Sequence, residues 1–249
     1  MTPWLIAVPA TIAAAGGLTA YGAINSRAQI FGRTTYRTNS PRKLAVTFDD
    51  GPNPSVTPTL LDLLDKYGVR ATFFVIGAYA REYPELVREL SARGHVVGNH
   101  TETHPNLFWK NSSQVRVELR LGQSAVKNVL GVAPRWFRPP FGLRNPSVGI
   151  AARELGLRVA MWTLMPGDWK SPSADWLIRR MDPIAKHARR ISAGAKGSGD
   201  ILCLHDGDHR RHNADRSHTI AALQHWLPRW RDLGLEFVTI DDAAPAPAS

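Results

Sequence analysis

Apolar positions recur along the chain in two rhythms. Past Lys43, short continuous apolar runs occupy 44–48, 71–76, 96–97, 135–137, 158–164, 201–204 and 235–240. Runs of this length, bounded by glycine, proline or polar residues, read as buried strands. Between them the apolar spacing lengthens to three and four residues. The segment TPTLLDLLDKYG (57–68) opens on Thr-Pro and closes on a glycine, the start and stop signals of a helix. Segments 84–94, 112–131 and 146–156 repeat that pattern, and 174–190 and 217–233 carry the same period. Strand–helix alternation predicts a parallel sheet, and seven strands with no break between halves predict a closed or nearly closed α/β barrel.

The N-terminus follows neither rhythm. Residues 2–26 carry no charge, and 4–24 would span roughly 30 Å as a helix, the thickness of a bilayer core. Pro9, Gly16 and Gly17 weaken a membrane helix without forbidding it. A secretory signal is the rival reading, with Ala20 and Gly22 offering poor cleavage sites. No Lys or Arg precedes the run and five follow it by residue 43, which by the positive-inside rule favours a cytoplasmic C-terminal side. The expectation is an exported or membrane-anchored protein, with membrane association through residues 2–26. It divides into an anchor or signal segment over 1–26, a basic linker over 27–43, one catalytic domain over 44–242 and a flexible tail over 243–249.

A chain of 249 residues with 43% hydrophobic content can bury one large core. The net charge is +10, and Arg27, Arg33, Arg37, Arg42 and Lys43, with no acid among residues 1–43, supply half of it. The later pairs Arg179-Arg180, Arg189-Arg190 and Arg210-Arg211 lack interleaved aromatics, so they read as a solvated basic face and no nucleic-acid partner is expected. Cys203 is the only cysteine, which excludes an internal disulfide.

Parallel α/β folds place chemistry where strands end. The first run, LAVTF, ends in Asp49 and Asp50, two adjacent carboxylates that repel and lose solvation at the end of a core strand. GNHTETHPN after the third run supplies His100 and His104, RPPFG after the fourth supplies Arg138, PGDW after the fifth supplies Asp168 and Trp169, and LHDG after the sixth supplies His205. His100 and His104 are four apart, so one helical turn would place both imidazoles on one side. With a carboxylate they make a three-ligand site for Zn²⁺ or another first-row divalent ion. A cation would offset the carboxylate repulsion, leaving one aspartate as ligand and the other as a base for water. Arg138 could orient that base, His205 could protonate a leaving group, and Asp168 could set the His205 tautomer. Together these parts describe hydrolysis of an acyl bond.

TFDDG (47–51), HTETH (100–104), RPPFG (138–142), GDW (167–169) and LCLHDG (202–207), in that order, resemble the five motifs of the polysaccharide deacetylase family, carbohydrate esterase family four, also called the NodB-homology domain. The resemblance covers about residues 42–240. It implies a deformed (β/α)7 barrel that removes acetyl groups from N- or O-acetylated polysaccharides such as peptidoglycan or chitin-like oligomers. It also implies a divalent ion, most often zinc and sometimes cobalt or nickel. Carried over, Asp49 resembles the catalytic base, Asp50, His100 and His104 the metal ligands, Arg138 the residue orienting the base, and His205 the catalytic acid tuned by Asp168. Phe141 stands where a tyrosine often offers its backbone N–H to an oxyanion, and Trp169 with Leu204 or Cys203 would line the acetyl pocket. Met165 departs from the family pattern, which often has an aspartate there. The loop DGDHRRHNADRSH (206–218) reads as solvated surface, with His209 and His212 in it. Two rivals stay open: a catalytically silent carbohydrate-binding barrel, and an amidohydrolase acting on a small non-sugar amide.

Overall fold

The structure, a computed structural model, describes residues 16–243. Residues 16–24 form helix α1. Then follow β1 (Thr34–Thr35), β2 (Lys43–Gly51), α2 (Thr57–Lys66), β3 (Thr72–Val75), α3 (Gly77–Glu82), α4 (Pro84–Ala92), β4 (Val96–Asn99), α5 (Ser112–Leu130), β5 (Trp136–Phe137), α6 (Pro146–Glu154), β6 (Arg158–Ala160), α7 (Ala174–Ser192), β7 (Asp200–His205), α8 (Ser217–Asp232), β8 (Glu236–Val238) and α9 (Ile240–Ala243). Every expected strand after Lys43 is present. β1 was not expected.

The sheet runs β1-β6-β5-β4-β3-β2-β7, with all pairs parallel. β7 occupies one edge of β2 from Leu44 to Asp49. A strand has only two edges, so β8 and β3 share the other: β8 pairs residues 43–45 and β3 pairs 47–51. The Ile240 N–H donates to Thr72 Oγ1, stitching the end of β8 to the start of β3. The run read as one strand over 158–164 is split. Its first half is β6, and its second half crosses to β7, where Leu164 bridges Leu202 and Thr163 exchanges hydrogen bonds with Ile201. That crossing closes the ring and makes the architecture a deformed (β/α)7 barrel.

Strand alternation sorts the core into two layers. Leu44, Val46 and Phe48 of β2 and Leu202 and Leu204 of β7 face outward, against Leu60, Leu64, Leu177, Leu223 and Trp230 on the helices. Each such buried side chain contributes about 1.5–3 kcal/mol. Ala45, Phe74, Trp136, Ala160 and Ile201 fill the inside. Helix α5, at the length its spacing predicts, begins with a reciprocal cap between Asn111 and Gln114 and ends where Gly131 takes a left-handed conformation.

Of the residues expected as a basic linker, Ala28 and Thr38 are buried and Thr34-Thr35 pair with β6. Buried Arg144 donates to the carbonyls of Asn25 and Ala28, docking this stretch on the barrel. The anchor or signal expected over 1–26 lies largely outside the described residues, as does nearly all of the 243–249 tail. Among the described residues no helix is long and apolar enough to cross a membrane.

Candidate active site

The two carboxylates that end β2 share one site only because the backbone breaks its alternation. Regular pleating would send Asp49 inward and Asp50 outward. Instead, Asp49 pairs with Phe74 and Gly51 with Val75, so Asp50 is an extra, bulged residue, with φ 69. The left-handed turn swings its carboxylate back beside that of Asp49. Gly51 and Gly207 permit the close crossing there: a side chain on the first would run into the Asp206 carboxylate, and on the second into the Asp50 carbonyl. Asp50, Thr101, His104 and Phe141 are the non-glycine residues with positive φ among those described, and all lie at this site. Strained conformations concentrate where function over-determines them.

His100 and His104 do not sit on a helical turn. They flank a tight loop with Thr101 at φ 68 and His104 at φ 57. Glu118 on α5 accepts from the N–H groups of Glu102 and Thr103, and Thr101 Oγ1 accepts from the His104 N–H. The loop brings His100 Nε2 within 3.3 Å and His104 Nε2 within 3.1 Å of Asp50 Oδ1. His100 Nδ1 lies 2.8 Å from the Arg138 carbonyl, an acceptor only, so Nδ1 carries the proton and Nε2 presents a lone pair. Asp50 Oδ1, buried, has no hydrogen-bond partner. The His100 lone pair and the Asp50 carboxylate oxygen meet there with no proton between them, and with His104 Nε2 beside the same oxygen the cluster fits a cation. The donor set of one carboxylate oxygen and two imidazoles suits zinc and its first-row neighbours. Burial opposes ionisation of Asp50, yet its carboxyl lies well below the usual carboxylate range when, with no cation bound, His100, His104 and His209 act as its hydrogen-bond donors.

Asp49 faces this cluster on a rigid support. Arg138, fully buried, donates from Nη1 to Asp49 Oδ1 at 2.7 Å and to Thr47 Oγ1 at 2.8 Å, and from Nη2 to the Met161 carbonyl. Its guanidinium lies 4.3 Å from the centre of the Phe74 ring. Such a pair is anchored from several sides, as a buried ion pair requires. Asp49 Oδ2 is left toward the Asp50–His100–His104 cluster, 4.0 Å from His100 Nε2, with the Cys203 thiol donating to it at 3.4 Å. Burial pushes the Cys203 thiol far above its ordinary range, so it stays protonated.

Across the pocket, Asp168 receives His205 Nδ1–H at 2.8 Å and the His205 backbone N–H at 2.8 Å, while Thr219 Oγ1 donates to it as well. Burial disfavours a charged His205, but Asp168, aided by Asp50 and Asp49, outweighs it and pushes the imidazole up to about 9. His205 is therefore an imidazolium at neutral pH, with Nε2–H directed away from Asp168. The pocket of about 200 Å³ between these pairs is walled by Trp162, Met165, Trp169 and Phe141. The Phe141 N–H has no acceptor among the described residues.

A carboxylate held by arginine, a carboxylate and two imidazoles placed to hold a cation, and an imidazole held by aspartate converge on one cavity. The family model described as polysaccharide deacetylase matches residues 36–160. A peptidoglycan-N-acetylglucosamine deacetylase of Bacillus cereus is 38% identical over 210 residues, covering 82% of this chain and 89% of that protein. The chain belongs to the polysaccharide deacetylase family. A chitooligosaccharide deacetylase of Azorhizobium caulinodans is 34% identical over 206 residues, covering 80% of this chain and 93% of its own. The solved structure of a peptidoglycan N-acetylglucosamine deacetylase bound to a benzamide ligand has a TM-score of 0.71 at 29% identity, covering 84% of this chain and 91% of that one.

Within this polysaccharide deacetylase, Asp49, Asp50, His100, His104, Phe141, Trp169 and His205 all line the pocket, with Arg138 and Asp168 directly behind them. Leu204 does not. It is fully buried and faces the helices, because alternation along β7 turns Cys203 and His205 inward and Leu204 outward. The 206–218 loop, read as solvated surface, is tied down. Arg216 holds the Gly207 carbonyl, Tyr79 the Asp208 carbonyl and Asn53 the Ala214 carbonyl. It lays the His209 ring 4.3 Å from that of His104. Trp162 carried no signal in the sequence. His209 carried a faint one, a histidine four residues past His205 in a loop longer than a turn needs.

Proposed function

We propose that this polysaccharide deacetylase hydrolyses the N-acetyl group of N-acetylglucosamine units in peptidoglycan or chitin-like chains, with zinc at Asp50, His100 and His104. The observation that carries the reading is the placement of the Asp49–Arg138 and His205–Asp168 pairs on either side of that triad in one cavity. When bound, the ion polarises the acyl oxygen and lowers the pKa of a water beside it.

The chain's own residues supply the rest. Arg138 occupies Asp49 Oδ1, so Oδ2, on the cluster side, accepts the proton of the attacking water. The Phe141 N–H is free to donate to the oxygen that gains charge as the carbonyl carbon becomes tetrahedral. His205 is charged at neutral pH and fixed at Nδ1, so its Nε2 proton goes to the departing amine nitrogen as the C–N bond breaks, leaving acetate and a free amino sugar. Trp162, Met165 and Trp169 offer an apolar wall for the acetyl methyl group.

Export or membrane attachment is part of the same reading, supported by the uncharged stretch 2–26 and by the polymer substrates named for the relatives. The test is acetate release from N-acetylglucosamine oligomers, peptidoglycan and acetylxylan after chelation, with Zn²⁺, Co²⁺ or Ni²⁺ restored singly. Release that returns with zinc on the amino-sugar polymers is expected. Release from acetylxylan alone, or undiminished release after chelation, would overturn the proposal.

A further inference from the structure

A second cavity lies apart from the catalytic pocket and shares no lining residue with it. Its volume is about 350 Å³. The lining includes Thr163 and Leu164, where the barrel closes, together with residues of α7, of the loop AGAKGSG (193–199) and of the stretches before and after β1.

The charge around this cavity is one-sided. Arg27, Arg37, Arg190 and Lys196 line it, and none has a carboxylate partner among the described residues. Asp200 also lines it, but His187 Nδ1 engages that carboxylate. Four unpaired cations around one concavity repel one another and are stabilised by an anion. The loop adds a second, independent feature. The backbone N–H groups of Lys196, Gly197 and Ser198, all lining residues, find no acceptor among the described residues. Residues 195–199 are irregular in structure, and their unpaired N–H groups are donors open to an anion. Arg37 spans from the opposite wall to this loop, its Nη1 3.3 Å from Ser198 Oγ.

We propose that this cavity is a phosphate-binding site, accepting a phosphate monoester or diester through the guanidinium groups of Arg27, Arg37 and Arg190 and the N–H groups of residues 196–198. Guanidinium forks match phosphate oxygens two at a time, and the loop N–H groups add donors that carry no net charge. The phosphate is either free or borne by a lipid headgroup. Arg27 is the first charged residue after the uncharged stretch 2–26, and were that stretch membrane-attached, as the proposed function has it, a lipid phosphate would come within reach of the site.

The experiment uses the full chain in neutral detergent and titrates it calorimetrically with inorganic phosphate at constant ionic strength, with chloride as the control. A second arm measures co-sedimentation with phosphatidylcholine vesicles with and without phosphatidylglycerol. Arg37→Glu, Arg190→Glu and the conservative Arg190→Lys are compared, and circular dichroism melting establishes that each is folded. Phosphate binding that weakens at least tenfold in both glutamate variants, and less in Arg190→Lys, is the expected result. Binding confined to phosphatidylglycerol vesicles, with the same variant pattern, supports the site and assigns its phosphate to a lipid. Binding in neither arm, or binding that the glutamate variants leave unchanged, would overturn it.

Discussion

Replacing Asp168 with asparagine isolates the electrostatic part of the His205 pair. The amide keeps the shape and can still accept the imidazole Nδ1–H, but it removes the charge that outweighs burial. In the native protein His205 is held at about 9. An opposite charge in contact is worth about 1–3 pKa units, so loss of Asp168 brings His205 to roughly 6–8. At pH 8 the imidazolium fraction then falls about twofold to a hundredfold, whereas at pH 5.5 it changes by less than about twofold. The alkaline limb of kcat/KM for acetate release from N-acetylglucosamine oligomers should therefore move down by about one to three pH units, with metal kept saturating. A stability signature accompanies it. A histidine whose folded pKa is raised from 6.5 to about 9 contributes about 3 kcal/mol, fully present below pH 6.5 and lost as pH rises through 9. Asp168→Asn should lower the melting temperature most near pH 6 and least near pH 10. A uniform loss of rate at every pH, with the alkaline limb unmoved, would refute the reasoning.

Asp49→Asn should lower kcat by at least about a hundredfold, as expected for loss of a general base, while bound metal per chain, measured by atomic emission, is unchanged. Loss of the metal along with the activity would mean that Asp49 is itself a ligand. Leu204→Ala should cost about 2–5 kcal/mol in urea unfolding, since the residue is a fully buried core side chain, and leave substrate preference as it was. A changed KM with unchanged stability would return Leu204 to the acetyl pocket. Cys203 is fully buried with its thiol raised well above its ordinary range, so Ellman's reagent should modify it only after unfolding in guanidinium. Reaction at native-state rates typical of an exposed thiol would contradict the packing around Asp49.

Much of this polysaccharide deacetylase is legible in its sequence because its signals are local. The apolar runs, the Thr-Pro and glycine helix boundaries, and the polar clusters after successive strands each depend on a few neighbouring residues. They suffice to set a parallel barrel and to nominate Asp49, Asp50, His100, His104, Arg138, Asp168 and His205. The tertiary structure decided what depends on backbone exceptions and on distant packing. Alternation alone would separate Asp49 from Asp50, and only the bulge at Asp50 brings both carboxylates to one pocket. A helical turn would have served for His100 and His104, but left-handed residues and Glu118 from α5 build their loop instead. Leu204 and Cys203 are both apolar by sequence, and the pleat of β7, which turns Cys203 inward beside His205, decides which one faces the chemistry. The closure of the barrel through Thr163 and Leu164, and the tethering of His209 over His104, rest on partners tens of residues away. Local pattern encodes which elements form, because propensity and periodicity act over a few residues. Which side chains meet is encoded by long-range packing, where a single bulged residue turns a carboxylate from the helix layer to the site.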